Sequence, residues 1–187
     1  MVFWRVKCVP CHLVTALVLM SSQGCGSKYS VRSSIYAGFE GEINQHTRLI
    51  HAPKSQVFQI LTQEEAFKSV CPENILVTRE SPPPYQVGTL IRTRVFEKFE
   101  LEWNARVEEV IPEERIRLTF LDGFFAGGAE LWELENEKSA TRVTHTIVVQ
   151  PKGVLKKLAW ILKVRGKHDA MVEAFLDNLK QAAEKSG

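Results

Sequence analysis

Cysteine is scarce where it would matter most. Of the four in the chain, Cys8, Cys11 and Cys25 lie near the N-terminus and leave only Cys71 for the rest. One thiol makes no intramolecular disulfide, so the folded body has to hold by packing. Acid is missing at the start as well. No Asp or Glu precedes Glu40, whereas Arg5, Lys7, Lys28 and Arg32 all fall in that stretch. Taking those four from 24 basic residues leaves 20 against 22 acidic ones, and so near-neutral a body argues against a wide basic nucleic-acid footprint. The apolar run Leu13 to Met20 is too short to span a bilayer comfortably. There is no phosphate-binding glycine loop, no nucleophile elbow and no metal-ligand cluster at recognisable spacing. No cofactor and no metal are expected.

The N-terminal stretch has an order of its own. Arg5 and Lys7 precede the apolar run, and Ser21-Ser22-Gln23-Gly24 leads into Cys25. Positive, apolar, then small and polar is the plan of a secretory signal. Residues 1–25 are therefore expected to be a signal peptide, with residues 26–41 as a polar linker and 42–187 as the folded domain. Cys25 is a candidate lipidation site, although Gln23 fits a lipoprotein cleavage box poorly. Export, with anchoring through Cys25, is one expectation; a cytoplasmic protein starting at Met20 is the other. Cys8-Val9-Pro10-Cys11-His12 has the spacing that tethers a c-type haem. Its position inside a segment expected to be removed makes the match accidental, and the pair is too isolated for zinc.

From Gly41 onward the periodicities carry information. Ile43–His51 has strand character, Pro53 opens a short helix with Val57, Phe58 and Leu61 as its apolar stripe, and Gln63–Val70 reads as a second helix stopped by Cys71-Pro72. Ser81-Pro82-Pro83-Pro84-Tyr85 is expected to be an exposed loop. Five strand-like runs follow: Thr89–Phe96, Phe99–Ile111, Arg115–Asp122, Ala129–Asn136 and Thr141–Gln150. Leu101, Trp103, Ala105 and Val107 alternate with polar neighbours, as do Ile116, Leu118 and Phe120. That is the pattern of an antiparallel sheet with one wet and one covered face. Gly153 to Lys185 contains no proline and shows helical spacing at Leu155, Leu158, Ala159 and Leu162. The spacing resumes at Met171, Ala174, Phe175, Leu179 and Ala182, with Gly166 a candidate kink. The expected architecture is α+β: a curved sheet wrapped around a long C-terminal helix, with a cavity between them.

That order resembles the helix-grip fold of the START and birch-pollen-allergen (SRPBCC) superfamily, nearest its polyketide-cyclase-like and coenzyme-Q-binding-like branches. The resemblance is carried by Ala52-Pro53-Lys54-Ser55-Gln56-Val57-Phe58, by Leu121 to Gly128, by Leu131-Trp132-Glu133-Leu134 with Thr141-Arg142-Val143-Thr144, and by Lys167-His168-Asp169. It implies a hydrophobic cavity for lipids, quinones or polyketide-like molecules, in a superfamily that mixes carriers with enzymes.

Several residues are candidates for that site. His145 shares a strand face with Val143, Ile147 and Val149; inside a cavity it could serve as a base, and otherwise it is a hydrogen-bonded core histidine. Glu130 alternates with Trp132 and Leu134, and could orient a ligand hydroxyl or sit in water at the mouth. Trp103, Phe120, Phe124, Phe125, Trp132 and Phe175 would line a pocket for an oily ligand, or fill a solid core instead. Each ring contributes roughly 1.5–3 kcal/mol by burial in either case. Gly127-Gly128 suits a bend better than phosphate binding, and His46, His51 and His168 are scattered.

The segment Lys152–Lys167 holds six basic residues and no acidic one. Lys156, Lys163 and Lys167 fall on one stripe with Trp160 beside it, while Leu155, Leu158 and Leu162 face away. Such a stripe is how a helix rests on an anionic bilayer, and it is also how a solvated helix looks. The functional expectation is binding or transport of a hydrophobic small molecule. The alternatives are an aromatase/cyclase-type enzyme using His145, and an interaction module using a sheet edge or the loop around Pro82.

Overall fold

The computed structural model describes residues 41–96 and 100–185. The expected signal peptide, the Cys25 lipidation site and all but the last residue of the expected linker lie outside the described residues. Seven strands form one antiparallel sheet. They are β1 (Glu42–Ile50), β2 (Ile75–Arg79), β3 (Leu90–Val95), β4 (Leu101–Ile111), β5 (Arg115–Phe120), β6 (Ala129–Glu137) and β7 (Ala140–Val149). Their spatial order is β1-β7-β6-β5-β4-β3-β2. The first strand thus pairs with the last, and β1 and β2 are the two edges. Helices α1 (Lys54–Thr62) and α2 (Glu64–Val70) follow β1. The chain ends in α3 (Val154–Ala159), a wide π turn (Trp160–Val164) and α4 (Arg165–Lys185). This is the expected helix-grip arrangement.

Alternation decides which face is covered. In β5, Ile116, Leu118 and Phe120 are buried between the half-buried Arg115, Arg117 and Thr119. Trp103, Ala105 and Val107 of β4 and Val143, Ile147 and Val149 of β7 join the same core. In β4 the register shifts between Val107 and Glu109, and such a bulge bends the strand and increases its twist. Gly128 lies against the backbone of β7, where any side chain would collide with the Val148 carbonyl, and its neighbour Gly127 has a positive φ of 83°. The glycine pair therefore makes a bend, as expected.

One strand escaped the sequence reading. β2 is only five residues, and its Ile75, Val77 and Arg79 on one side and Leu76 and Thr78 on the other give no clean alternation of burial. The C-terminal helix also departs from expectation. It is not interrupted at Gly166; its irregular turn lies just before, at Trp160–Val164.

The helix α4 is fixed to the sheet on two sides. Val172, Phe175, Leu176, Leu179 and Ala183 are buried in the core. Along β1, the residues Asn44, His46 and Arg48 meet Asp169, Glu173 and Asp177 of α4. Asn44 Nδ2 donates to Asp169 Oδ1 at 2.8 Å, His46 Nδ1 lies 2.7 Å from Glu173 Oε1, and Arg48 Nη2 lies 2.5 Å from Glu173 Oε2 and 3.0 Å from Asp177 Oδ1. Two residues of strand advance about 6.7 Å and four residues of helix about 6 Å, so the ladder stays in step over three rungs.

Candidate functional site

Between α2, α4 and the covered face of the sheet the interior is not filled. One compartment of about 90 Å³ is walled by Trp103, Phe120, Phe125, Trp132 and Phe175, with Glu130 and His145 also facing it. A second, of about 80 Å³, continues from it past Glu130 and Trp132 toward Tyr85 and Arg79. The two share Phe67, Val77, Thr93, Glu130 and Trp132 as walls. At the end nearer the π turn, Trp103, Phe125, His168 and Met171 also border a larger cleft of about 610 Å³, with Lys163, Val164 and Lys167 on its rim. The deep compartments are small beside ligand sites of roughly 300–1,000 Å³, whereas the cleft falls in that range.

Strand register explains how the polar groups meet. Trp132 of β6 stands directly opposite His145 of β7, their rings 4.3 Å apart. Glu130 precedes Trp132 by two residues and so lies on the same face. Its Oε1 accepts from Trp132 Nε1 at 2.8 Å and faces His145 Nε2 at 3.2 Å. For that second bond His145 must carry its proton on Nε2, which leaves Nδ1 buried without a partner among the described residues. Beyond it, His168 of α4 stacks on His145 with centroids 6.0 Å apart.

Burial works to raise the pKa of Glu130, but the bonds from His145 and Trp132 outweigh it and hold the carboxyl below its usual range. Burial pushes His168 down, and the nearby Asp169 only partly offsets this, so His168 is neutral near pH 7. Asp169 is pulled down to about 2, by His168 first and then by the Asn44 amide and His46. The His168 Nδ1–Asp169 Oδ1 approach of 4.0 Å is longer than a direct hydrogen bond, and that nitrogen makes no other among the described residues. Cys71 is pushed up to about 12 by burial, so the one thiol of the body is a wall of the cavity and not a nucleophile. At the far mouth burial, and then the charge of Glu130, raise Tyr85, and the Arg79 guanidinium sits 5.1 Å over its ring.

Most of the expected residues therefore converge. Phe124 does not line the deep compartment; it packs outside it, edge-on to Phe125 and 6.5 Å from Trp160. Sequence reasoning missed Phe67, Met171, Tyr85 and Arg79, which come from a short helix, the last helix, a loop and the unrecognised strand. His46 and His168, scattered along the chain, are brought together with Asp169, and their ligand atoms lie within 4.8 Å of one another. Two imidazoles and a carboxylate are a donor set that zinc accepts. Here, however, Nε2 of His46 already contacts Asn44 Oδ1 at 2.9 Å and Asp169 Oδ1 at 3.3 Å, so the ladder between β1 and α4 accounts for the cluster. His51 stays apart; its backbone N–H donates to Glu184.

Trp160 requires a correction. It was expected beside the lysines on a surface stripe, and it is fully buried, 6.2 Å from Phe125 and 6.1 Å from His168. The leucines expected to supply the covered face are exposed instead. The wide π turn swings the indole inward and carries Ile161 and Leu162 outward.

The profile of the family described as polyketide cyclase / dehydrase and lipid transport matches residues 50–179. The chain belongs to this family. The match runs from the end of β1 to Leu179 in α4, so it contains every wall of the cavity. Members of the wider helix-grip group share the fold at low identity. The protein TTHA0849 of Thermus thermophilus superposes with a TM-score of 0.66 at 18% identity, covering 78% of this chain and 99% of that one. The Aha1 dimer of Colwellia psychrerythraea gives 0.58 at 18%, covering 76% and 96%. Ara h 8.0201 gives 0.55 at 9%, covering 74% and 97%. No curated protein matches the sequence. The family places the chain among hydrophobic ligand-binding or polyketide cyclase/dehydrase-type proteins, which agrees with an apolar cavity holding a few convergent polar groups.

Proposed function

We propose that the protein binds and carries a hydrophobic small molecule that bears one polar group. The observation supporting this is the composition of the cavity: aromatic and aliphatic walls closing on the polar cluster Glu130, His145 and His168, with Glu64, Lys68, Arg79 and Tyr85 toward the far mouth. The ionised Glu130 accepts a hydroxyl or amide of the ligand, while the ligand's apolar part lies against Trp103, Phe125 and Met171 and extends into the outer cleft. The deep compartments alone suit only a ring or a short tail, since a dry cavity of roughly 150 Å³ already accommodates benzene. Organic extraction of protein purified from its native host, followed by mass spectrometry, tests the reading. A co-purifying apolar molecule is expected. An empty extract, together with no displacement of a bound fluorescent hydrophobic probe by added lipids, quinones or polyketide-like compounds, would sink it.

A second reading draws on the Glu130–His145 pair. A carboxylate holding an imidazole is how a base is oriented for proton transfer, and that would suit a cyclase or dehydrase acting on a polyketide-like substrate. His145→Ala separates the two. A carrier variant changes affinity without any turnover to lose, whereas an enzyme variant keeps affinity and loses product formation.

A further inference from the structure

The segment between β7 and α4 wears its apolar side chains on the outside. Val154, Leu155, Leu158, Ile161 and Leu162 are all exposed, Leu155 at 83% and Leu162 at 73%. At 3.6 residues per turn they project from one stripe roughly 120° wide. Trp160 points the opposite way and is fully buried, so the helix is anchored by its back and presents its oily face to the surroundings. On the same wheel Lys157 and Arg165 border the stripe, Lys152, Lys156, Lys163 and Lys167 are exposed on the remaining faces, and Arg165 is paired with Glu42 at 2.6 Å.

We propose that this segment, Gly153 to Lys167, docks onto an anionic lipid bilayer. Aliphatic side chains in such a stripe enter the boundary between headgroups and acyl chains, and flanking lysines reach back to the phosphates. Charge selects this occupant over others. A second copy of the chain packed symmetrically on the same patch would bring the exposed lysines of both copies together. The chain's own first 39 residues carry no acid to attract the patch.

The location gives docking a purpose, which rests on the ligand-carrying reading although the surface itself does not. Lys163, Val164 and Lys167 belong both to the docking segment and to the rim of the 610 Å³ cleft. A docked protein therefore holds the rim of the cleft close beside the bilayer, which shortens the passage of an apolar ligand through water.

The test uses the full chain with vesicles of phosphatidylcholine alone or mixed with phosphatidylglycerol. It is read by co-sedimentation and by hydrogen exchange of the amides from 154 to 165. Protection of those amides beyond that of the free protein is expected with the anionic vesicles only, and it weakens as salt is raised. Leu155→Glu with Leu162→Glu, both at exposed positions, lowers partitioning by at least about tenfold, and Lys156→Glu with Lys163→Glu does the same. Circular dichroism verifies that both variants fold. Unchanged protection in the double variants overturns the proposal. So does a doubled mass in solution, because it identifies a different occupant. Vesicle docking by a protein whose extract is empty sustains the docking and rejects the carried ligand. An extracted ligand without vesicle protection does the reverse.

Discussion

The C-terminal helical stretch contains two amphipathic halves that face opposite ways. In α4 the apolar stripe Val172, Phe175, Leu176, Leu179, Ala183 is buried, and the acidic stripe Asp169, Glu173, Asp177 answers Asn44, His46 and Arg48 of β1. In α3 and the π turn the apolar stripe is exposed, and only Trp160 is held in the core. Helical periodicity is equally good in both halves. What differs is whether a neighbouring element offers a partner: α4 has a strand edge and two helices beside it, whereas no described element covers the apolar stripe of α3. An apolar stripe states that a helix will be covered on that side, and it does not state by what.

Substitutions sharpen the contrast, beginning with the strongest. Trp160→Ala removes the one anchor of the outer half, and a loss of about 3–5 kcal/mol in unfolding free energy is expected from denaturant titration. A change under about 0.5 kcal/mol would mean that the indole does not occupy the core. Leu179→Ala in α4, also fully buried, should cost about 2–5 kcal/mol in the same assay. Acid acts on the ladder side of α4 and on the buried His168. His168 has a folded pKa below its unfolded value, so its contribution is complete above pH 6.5 and is lost as pH falls from there toward the folded value. Asp169 also has a depressed folded pKa; its contribution is present above its unfolded value of 3.8 and is lost as pH falls through about 2. Thermal unfolding followed against pH should therefore fall in two stages, with His168→Gln flattening the first and Asp169→Asn reducing the second, to which the lowered carboxyls of Glu130 and Glu173 also contribute. A single stage in the wild-type chain would contradict the assignment. The smallest effect belongs to Leu155→Ala, which should change stability by less than about 0.5 kcal/mol; a loss comparable to that of Leu179→Ala would show that α3 is packed against something in solution.

The sheet was legible because period-two alternation survives in β4 and β5, where one face is wet. The cavity walls followed from the same alternation: Trp103, Phe120, Trp132 and His145 all point inward. Three features were not readable, for separate reasons. β2 is too short and too evenly half-buried to alternate. The Glu130–His145 contact depends on the β6–β7 register, which places Trp132 opposite His145 and is set by the turn at Lys138 and not by either strand alone. The His46–His168–Asp169 cluster joins residues more than 120 positions apart. Its trace in the sequence, polar residues two apart in β1 and acidic residues four apart in α4, becomes meaningful only when the two elements are known to lie side by side. Trp160 was misplaced because ideal helical spacing takes no account of the π turn.

The pairing of the first strand with the last elements of the chain has a consequence for how the protein is made. β1 leaves the ribosome before any of its neighbours, since β7 and α4 lie about a hundred residues downstream of it. Until those emerge it is an unpaired edge carrying Ile43, Leu49 and Ile50, the sort of surface that sticks to other chains. Closure has to join segments about a hundred residues apart, so folding should be slow for a domain of this size and should wait until β7 and α4 have been made.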